Sequence, residues 1–247
     1  VRVGMNTGVE NVVNTLHVLG VDEDIQPVPS ILLGSVSMTP FQVNQMYATI
    51  ATEGFYRPLG ALRYVIAGED RIYDRTSHLD GRQVVDPRSA YLTIIGMTKV
   101  TSIGTARSLA ATYPKITLAG KTGTSNNSND SWFSGFDNNE VVTIWIGNDD
   151  NTGTGLTGSS GALKVYHDYL KKRGAQSLEV AVPEGIKTVL FDANGYIVDR
   201  ETCNITEANL VELPVRTDMI QDEQIRKCNN VFENFWNGTK DFVNDLF

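Results

Sequence analysis

Four consecutive residues, Lys121-Thr122-Gly123-Thr124, combine a cation, two hydroxyls and a position without a side chain. On an extended strand this run can do specific chemistry. The lysine and the hydroxyls offer donors to a carboxylate. The glycine lets an extended acyl substrate lie close to the backbone, as when a peptide adds a strand to a sheet edge. The N–H after the glycine, that of Thr124, can face a developing oxyanion. A Lys-Thr-Gly triplet alone carries little information, since a solvent-exposed strand end would look the same. Its surroundings raise it: Gly120 precedes, a Ser/Asn-rich turn follows, and a Trp/Phe strand comes next.

Other residues are less suited to chemistry. His17, His78 and His167 show no His-x-x-x-His spacing and no carboxylate cluster nearby, so they read as structural and no metal site is expected. Gly153-Thr154-Gly155-Leu156-Thr157-Gly158 lacks the Gly-Lys-Ser/Thr of a phosphate cradle and reads as a flexible loop feeding the next helix. Asn204-Ile205-Thr206 matches a glycosylation sequon too short to carry weight. Cys203 and Cys228 have no Cys-x-x-Cys spacing, which argues against a zinc knuckle or a redox pair. On the residues alone two readings stay open: two unrelated buried thiols, or one disulfide closing a loop in an irregular tail.

Several elements must position the Lys121 strand. Thr7-Gly8-Val9-Glu10 predicts a capping box ahead of a helix carrying Val12, Val13, Leu16 and Leu19 and stopping at Gly20. Thr39-Pro40-Phe41-Gln42 is a better start, with the apolar face Val43, Met46, Tyr47 and Ile50 and an end at Gly54. A third helix opens at Asp86-Pro87, sets Tyr91, Ile94 and Ile95 on one side, and fades near Ser102. Residues 62–67 and 71–73 predict a hairpin turning at Gly68-Glu69-Asp70. Residues 116–120 predict a strand running into the Lys121 motif, and 132–136 and 141–146 an antiparallel pair turning at Asp137-Asn138-Asn139. Residues 162–170 predict an amphipathic helix whose basic end, Lys171-Lys172-Arg173, suits the helix dipole.

Composition shifts after Gly174. Val189-Leu190-Phe191 and Tyr196-Ile197-Val198 flank Asn194-Gly195, a strong hairpin signal. The chain therefore reads as a domain over 1–174 and a small strand-containing extension over 175–247. Its last stretch, 232–247, reads as a short docking helix or a frayed end.

The formal net charge is −8, and no basic patch stands out, which argues against nucleic-acid binding and against direct adhesion to anionic lipid. No run approaches the roughly 20 apolar residues a spanning helix needs. Val1-Arg2-Val3-Gly4 has neither a starting methionine nor an apolar signal core, so the sequence reads as beginning inside a longer protein.

At this point the sequence resembles a family. The Lys-Thr-Gly triplet is similar to the third signature of penicillin-binding proteins and class A β-lactamases, after Ser-x-x-Lys and Ser-x-Asn. Leu32-Leu33-Gly34, the run from Met38 to Val43, and Tyr47-Ala48-Thr49-Ile50-Ala51-Thr52-Glu53-Gly54 resemble the segment of class A penicillin-binding proteins that precedes it. Gly104-Thr105-Ala106, Ala119-Gly120-Lys121-Thr122-Gly123-Thr124 and Asp130-Ser131-Trp132-Phe133-Ser134-Gly135 look the same way. The resemblance covers about residues 1–174 and is nearest to the Gram-negative bifunctional 1B group, whose extension the tail with its two cysteines also resembles.

The resemblance implies an α/β (α+β) fold, an antiparallel sheet flanked by helices, incomplete at the N-terminus. It implies a D,D-transpeptidase that crosslinks peptidoglycan stem peptides through a serine acyl-enzyme and is trapped by β-lactams, with no cofactor. On this carry-over Lys121 holds the serine of the second motif and attracts the substrate carboxylate. Thr122 and Thr124 bind that carboxylate across Gly123, and the Thr124 backbone N–H is half of the oxyanion hole. The implied location is the periplasmic face of the bacterial inner membrane, anchored by an N-terminal portion, with an activator lipoprotein as a partner. An oxidising periplasm favours a Cys203–Cys228 disulfide. The chain departs from the pattern in one respect: no serine in it begins Ser-x-x-Lys. Ser125-Asn126-Asn127 matches Ser-x-Asn formally but directly follows the third motif. The reading is therefore a fragment that is inactive alone, and needs the missing N-terminal portion of the same protein. A D,D-carboxypeptidase or β-lactamase of the same superfamily, or a non-catalytic scaffolding fragment, are the alternatives.

Overall fold

Hydrophobic patterning sets the order of elements in the first of two compact units, Val1–Ala181 and Val182–Phe247. The computed structural model describes residues 1–75, 81–198 and 210–226. In the first unit the helices are α1 (Arg2–Thr7), α2 (Val9–Val18), α3 (Pro40–Ala51), α4 (Pro87–Ser102), α5 (Ser108–Thr112) and α6 (Ala162–Arg173). Its strands are β1 (Phe55–Tyr56), β2 (Tyr64–Ala67), β3 (Asp70–Asp74), β4 (Arg82–Gln83), β5 (Ala119–Thr124), β6 (Ser131–Phe136) and β7 (Val141–Ile146). β1 pairs with β4 and β2 with β3, while β5-β6-β7 form the central antiparallel sheet.

Alternation along β6 feeds two cores. On one face Phe133 is fully buried, its ring 4.8 Å from that of Tyr166, among Leu163 and Leu170 of α6 and Leu109 of α5. On the other, Phe136 and Ala119 pack with Ile94 and Met97 of α4 and with Tyr47 and Ile50 of α3. The sheet is thus flanked by helices on both sides.

The start of α3 forms as its sequence predicts: Thr39 Oγ1 accepts from the Gln42 N–H and the Gln42 side-chain Oε1 accepts from the Thr39 N–H, with Pro40 in the first turn. Asp86 caps α4 through the Arg88 N–H at 2.8 Å. Two expectations fail. Thr7 does not cap a helix: it is the last residue of α1, and Gly8, at φ 93°, joins α1 to α2 without a side-chain cap. Residues 116–118 are not strand, because side chains and a loop take up their backbone groups. Ser177 Oγ accepts from the Thr117 N–H, the Leu178 N–H donates to the Thr117 carbonyl, and Thr101 Oγ1 donates to the Leu118 carbonyl.

In the second unit, β8 (Ile186–Phe191) lies between β10 (Val211–Arg216) and β9 (Ile197–Val198), all antiparallel. Pro214 sits in β10, which among the described residues pairs only with β8. The Thr217 N–H bond to the Gly185 carbonyl sets Pro214 at a position whose nitrogen faces away from β8, so its missing N–H costs no ladder bond. Asp192 Oδ1 accepts from the Asn194 and Tyr196 N–H groups and so shapes the Asn194-Gly195 turn. The compositional change at residue 175 and the division at Ala181/Val182 do not coincide, since Leu178 and Val180 pack against the core that holds Phe136. His78, the Asn204 sequon, Cys203, Cys228 and residues 232–247 lie outside the described residues.

Candidate functional site

Lys121-Thr122-Gly123-Thr124 ends β5, the edge strand of the central sheet. Register fixes which groups are free. The Ser125 N–H donates to the Asp130 carbonyl at 3.2 Å, so the ladder's hydrogen-bonded positions alternate back through Gly123 opposite Trp132 and Lys121 opposite Ser134. Thr122 and Thr124 therefore turn their N–H and C=O groups outward, to an edge that no strand covers among the described residues. Lys121 is exposed, and its Nζ reaches the Thr122 carbonyl at 2.7 Å.

The side chains divide by face. Lys121 shares its face with a polar row across the sheet: Ser134 Oγ lies 3.0 Å from Thr143 Oγ1, which donates to Asn44 Oδ1 of α3 at 3.1 Å. Thr122 and Thr124 point to the other face. Thr122 Oγ1 is 2.7 Å from Thr105 Oγ1, on the link between α4 and α5. Thr124 Oγ1 accepts from the Gly158 N–H at 2.9 Å.

Gly158 belongs to the Gly/Thr-rich stretch, which the sequence presents as a flexible feeder. The structure corrects that reading. The stretch is pinned to the Lys121 strand and its turn at three points. The Thr154 N–H and Oγ1 both donate to the Ser128 carbonyl, Ser131 Oγ donates to the Thr157 carbonyl at 2.7 Å, and Gly158 binds Thr124. Gly158 is buried flat against the neighbouring backbone, where a Cβ would stand 2.6 Å from the Gly123 oxygen and 2.7 Å from that of Trp132. Fully buried Ser131 completes the arrangement by accepting from the Ala162 N–H, so one hydroxyl holds both the strap and the start of α6.

Ser125 is structural. Its Oγ accepts from the Asp130 N–H at 2.7 Å and closes the turn, in which Asn127 and Ser128 both take the left-handed conformation. Asp130 in turn accepts from the Trp145 indole, whose ring lies 6.1 Å from that of Trp132. His17 bonds the Val21 carbonyl and His167 bonds Thr112, and among the described residues no cluster of three metal-ligating side chains occurs. No helix among the described residues is long and apolar enough to cross a membrane.

The arrangement is an open strand edge with two hydroxyls, an ammonium and outward N–H groups, buttressed from behind. Comparison with known proteins places it in context. The sequence profile of the penicillin binding protein transpeptidase domain matches residues 23–170. The chain is similar to "Penicillin-binding protein 1B" of Vibrio cholerae, 49% identical over 193 residues, covering 77% of this chain and 25% of the relative. It is also similar to "Penicillin-binding protein 1B" of Escherichia coli, 41% identical over 199 residues, covering 80% of this chain and 24% of the relative. The chain thus spans about a quarter of the length of these curated relatives. Its fold is like that of the crystal structure of penicillin-binding protein 1A from Haemophilus influenzae, with a TM-score of 0.71 at 18% identity, covering 85% of this chain and 37% of that one.

Proposed function

Because the chain belongs to the penicillin-binding protein transpeptidase family, we propose that it is the substrate-binding half of a D,D-transpeptidase whose nucleophilic serine lies in a segment of the parent protein outside this sequence. The observation that carries the reading is the β5 edge, which no strand covers among the described residues, with the outward backbone groups of Thr122 and Thr124 beside their hydroxyls. An extended stem peptide lies along this edge as an added strand. Its terminal carboxylate sits against the Thr122 and Thr124 hydroxyls, with Lys121 adding positive charge. The serine oxygen attacks the penultimate D-Ala carbonyl, and the Thr124 N–H stabilises the resulting oxyanion. The C–N bond breaks, D-Ala leaves as a protonated amine, and an acceptor amine from a second stem displaces the serine. A β-lactam mimics the donor and halts at the acyl-enzyme. Gly123 suits a backbone that must be approached closely.

Two further proposals rest on the family resemblance. The parent carries a glycosyltransferase region and an N-terminal anchor that places this domain at the periplasmic face. In that compartment Cys203 and Cys228 are joined as a disulfide. Intact mass spectrometry tests the central reading. This chain, incubated with excess penicillin, gains no adduct, whereas the parent gains one acyl group per molecule. A stoichiometric adduct on the chain alone would defeat the proposal.

A further inference from the structure

Thr105 reaches the binding edge from outside the sheet, and its position is fixed on both sides. Gly104 lies so close to α4 that a Cβ on it would stand 2.8 Å from the Val100 Cα, and its N–H donates to the Lys99 carbonyl at 2.9 Å. Ala106 is fully buried and its N–H donates to the Val100 carbonyl at 3.0 Å. Between these anchors the Thr105 side chain meets Thr122, with 2.7 Å between the two hydroxyl oxygens. Its hydroxyl makes no other hydrogen bond among the described residues.

A hydroxyl donates once and accepts twice. In the Thr105–Thr122 pair, one proton lies between the oxygens and one is left over. If Thr122 donates inward, it shows only lone pairs to the edge and repels a carboxylate. If Thr105 donates, the Thr122 proton is released outward and is polarised by the bond it receives. An anion at the edge selects the second state.

We propose that Thr105 is a positioning residue whose hydroxyl, donating to Thr122 Oγ1, aims the Thr122 proton at the substrate carboxylate. Thr124 has a fixed counterpart. Its oxygen already accepts from the Gly158 N–H, a donor that cannot reverse, so its own proton is free for a ligand. One hydroxyl is set by backbone, the other by a partner that can turn. The inference rests on the reading that Thr122 and Thr124 hold a carboxylate.

The test uses the parent protein, with second-order acylation rate constants for a penicillin and for its methyl ester. The carboxylate-to-ester ratio cancels any general loss of folded protein. Wild type favours the carboxylate. Thr105→Val and Thr105→Ala each lower the ratio about five- to tenfold, and Thr105→Ser keeps it within about twofold. An unchanged ratio in the Val and Ala variants overturns the role of Thr105, and so does a Ser variant that falls as far as Val. A wild-type ratio near one overturns the carboxylate reading itself, and this proposal with it.

Discussion

Gly158 shows how much a single missing side chain can decide. Its Cα faces two backbone carbonyl oxygens and the Gly123 nitrogen, all within 3 Å of where a Cβ would stand, and none of these atoms can swing aside. Gly158→Ala therefore forces the strap off the strand and breaks the bond to Thr124. The expected loss is about 1–3 kcal/mol, read as a lowered denaturation midpoint. Gly96, exposed on α4 with nothing near its Cβ position, makes the contrast. Gly96→Ala is expected to stabilise by about 0.4–1 kcal/mol through the unfolded state. Sequence alone distinguishes these glycines poorly. Lys121-Thr122-Gly123-Thr124 is legible because charge, hydroxyls and strand patterning coincide within four residues. Gly158 acts on Thr124 across 34 residues and Thr105 on Thr122 across 17, so neither leaves a local trace.

At the scale of elements, the β6–β7 turn is held by Asp137, whose side chain has no solvent exposure. It accepts from the Asn139 and Glu140 N–H groups, from the Gln176 N–H at 2.9 Å, and from Arg173 at the end of α6 at 2.6 Å. Burial pushes its carboxyl up. The bonds from Gln176, Arg173, Asn139 and Glu140 more than reverse that, and hold it below the usual carboxylate range. A folded value below the unfolded one stabilises above the ordinary pKa of about 3.9, and that contribution is lost as pH falls through the folded value. Asp137→Asn, which leaves Arg173 paired with Glu140 alone, should cost about 1.5–3 kcal/mol near neutral pH. Chemical denaturation from pH 7 down to pH 3 should show wild type and variant converging at the acid end; a gap that stays constant would count against this account. The turn was readable from Asp137-Asn138-Asn139, but its bond to α6 was not. The same limit explains residues 116–118, which pattern as strand yet have their backbone groups met by Thr101, Ser177 and Leu178. The capping box at Thr39 succeeded because it is complete within four residues, whereas the one at Thr7 was overruled by Gly8 turning the chain between two helices.

At the scale of the whole molecule, the N-terminal part of the first unit leaves apolar side chains uncovered. α1 has no buried residue, Val3 is 78% exposed and Leu33 79%, and Met5 and Phe41 are also open to solvent. Gly4 of α1 lies close against the Leu32 side chain. On the proposal that a nucleophile-bearing segment completes the domain, this surface is where chain outside the present sequence packs. A dye that fluoresces on apolar surface should be brighter, mole for mole, with this chain than with the parent, and equal brightness would remove that argument.

The uncovered edge of β5 has one more consequence. The N–H and C=O groups of Thr122 and Thr124, proposed to receive a peptide, can equally receive the same strand from another copy, and on that reading such pairing would make the protein its own competitive inhibitor. Two features oppose it. The exposed edge is short, and the Lys121 ammonium already sits on the Thr122 carbonyl, setting a charge where a second strand would have to pair. The residue proposed to draw in an anionic substrate thus also wards off the strand's own likeness.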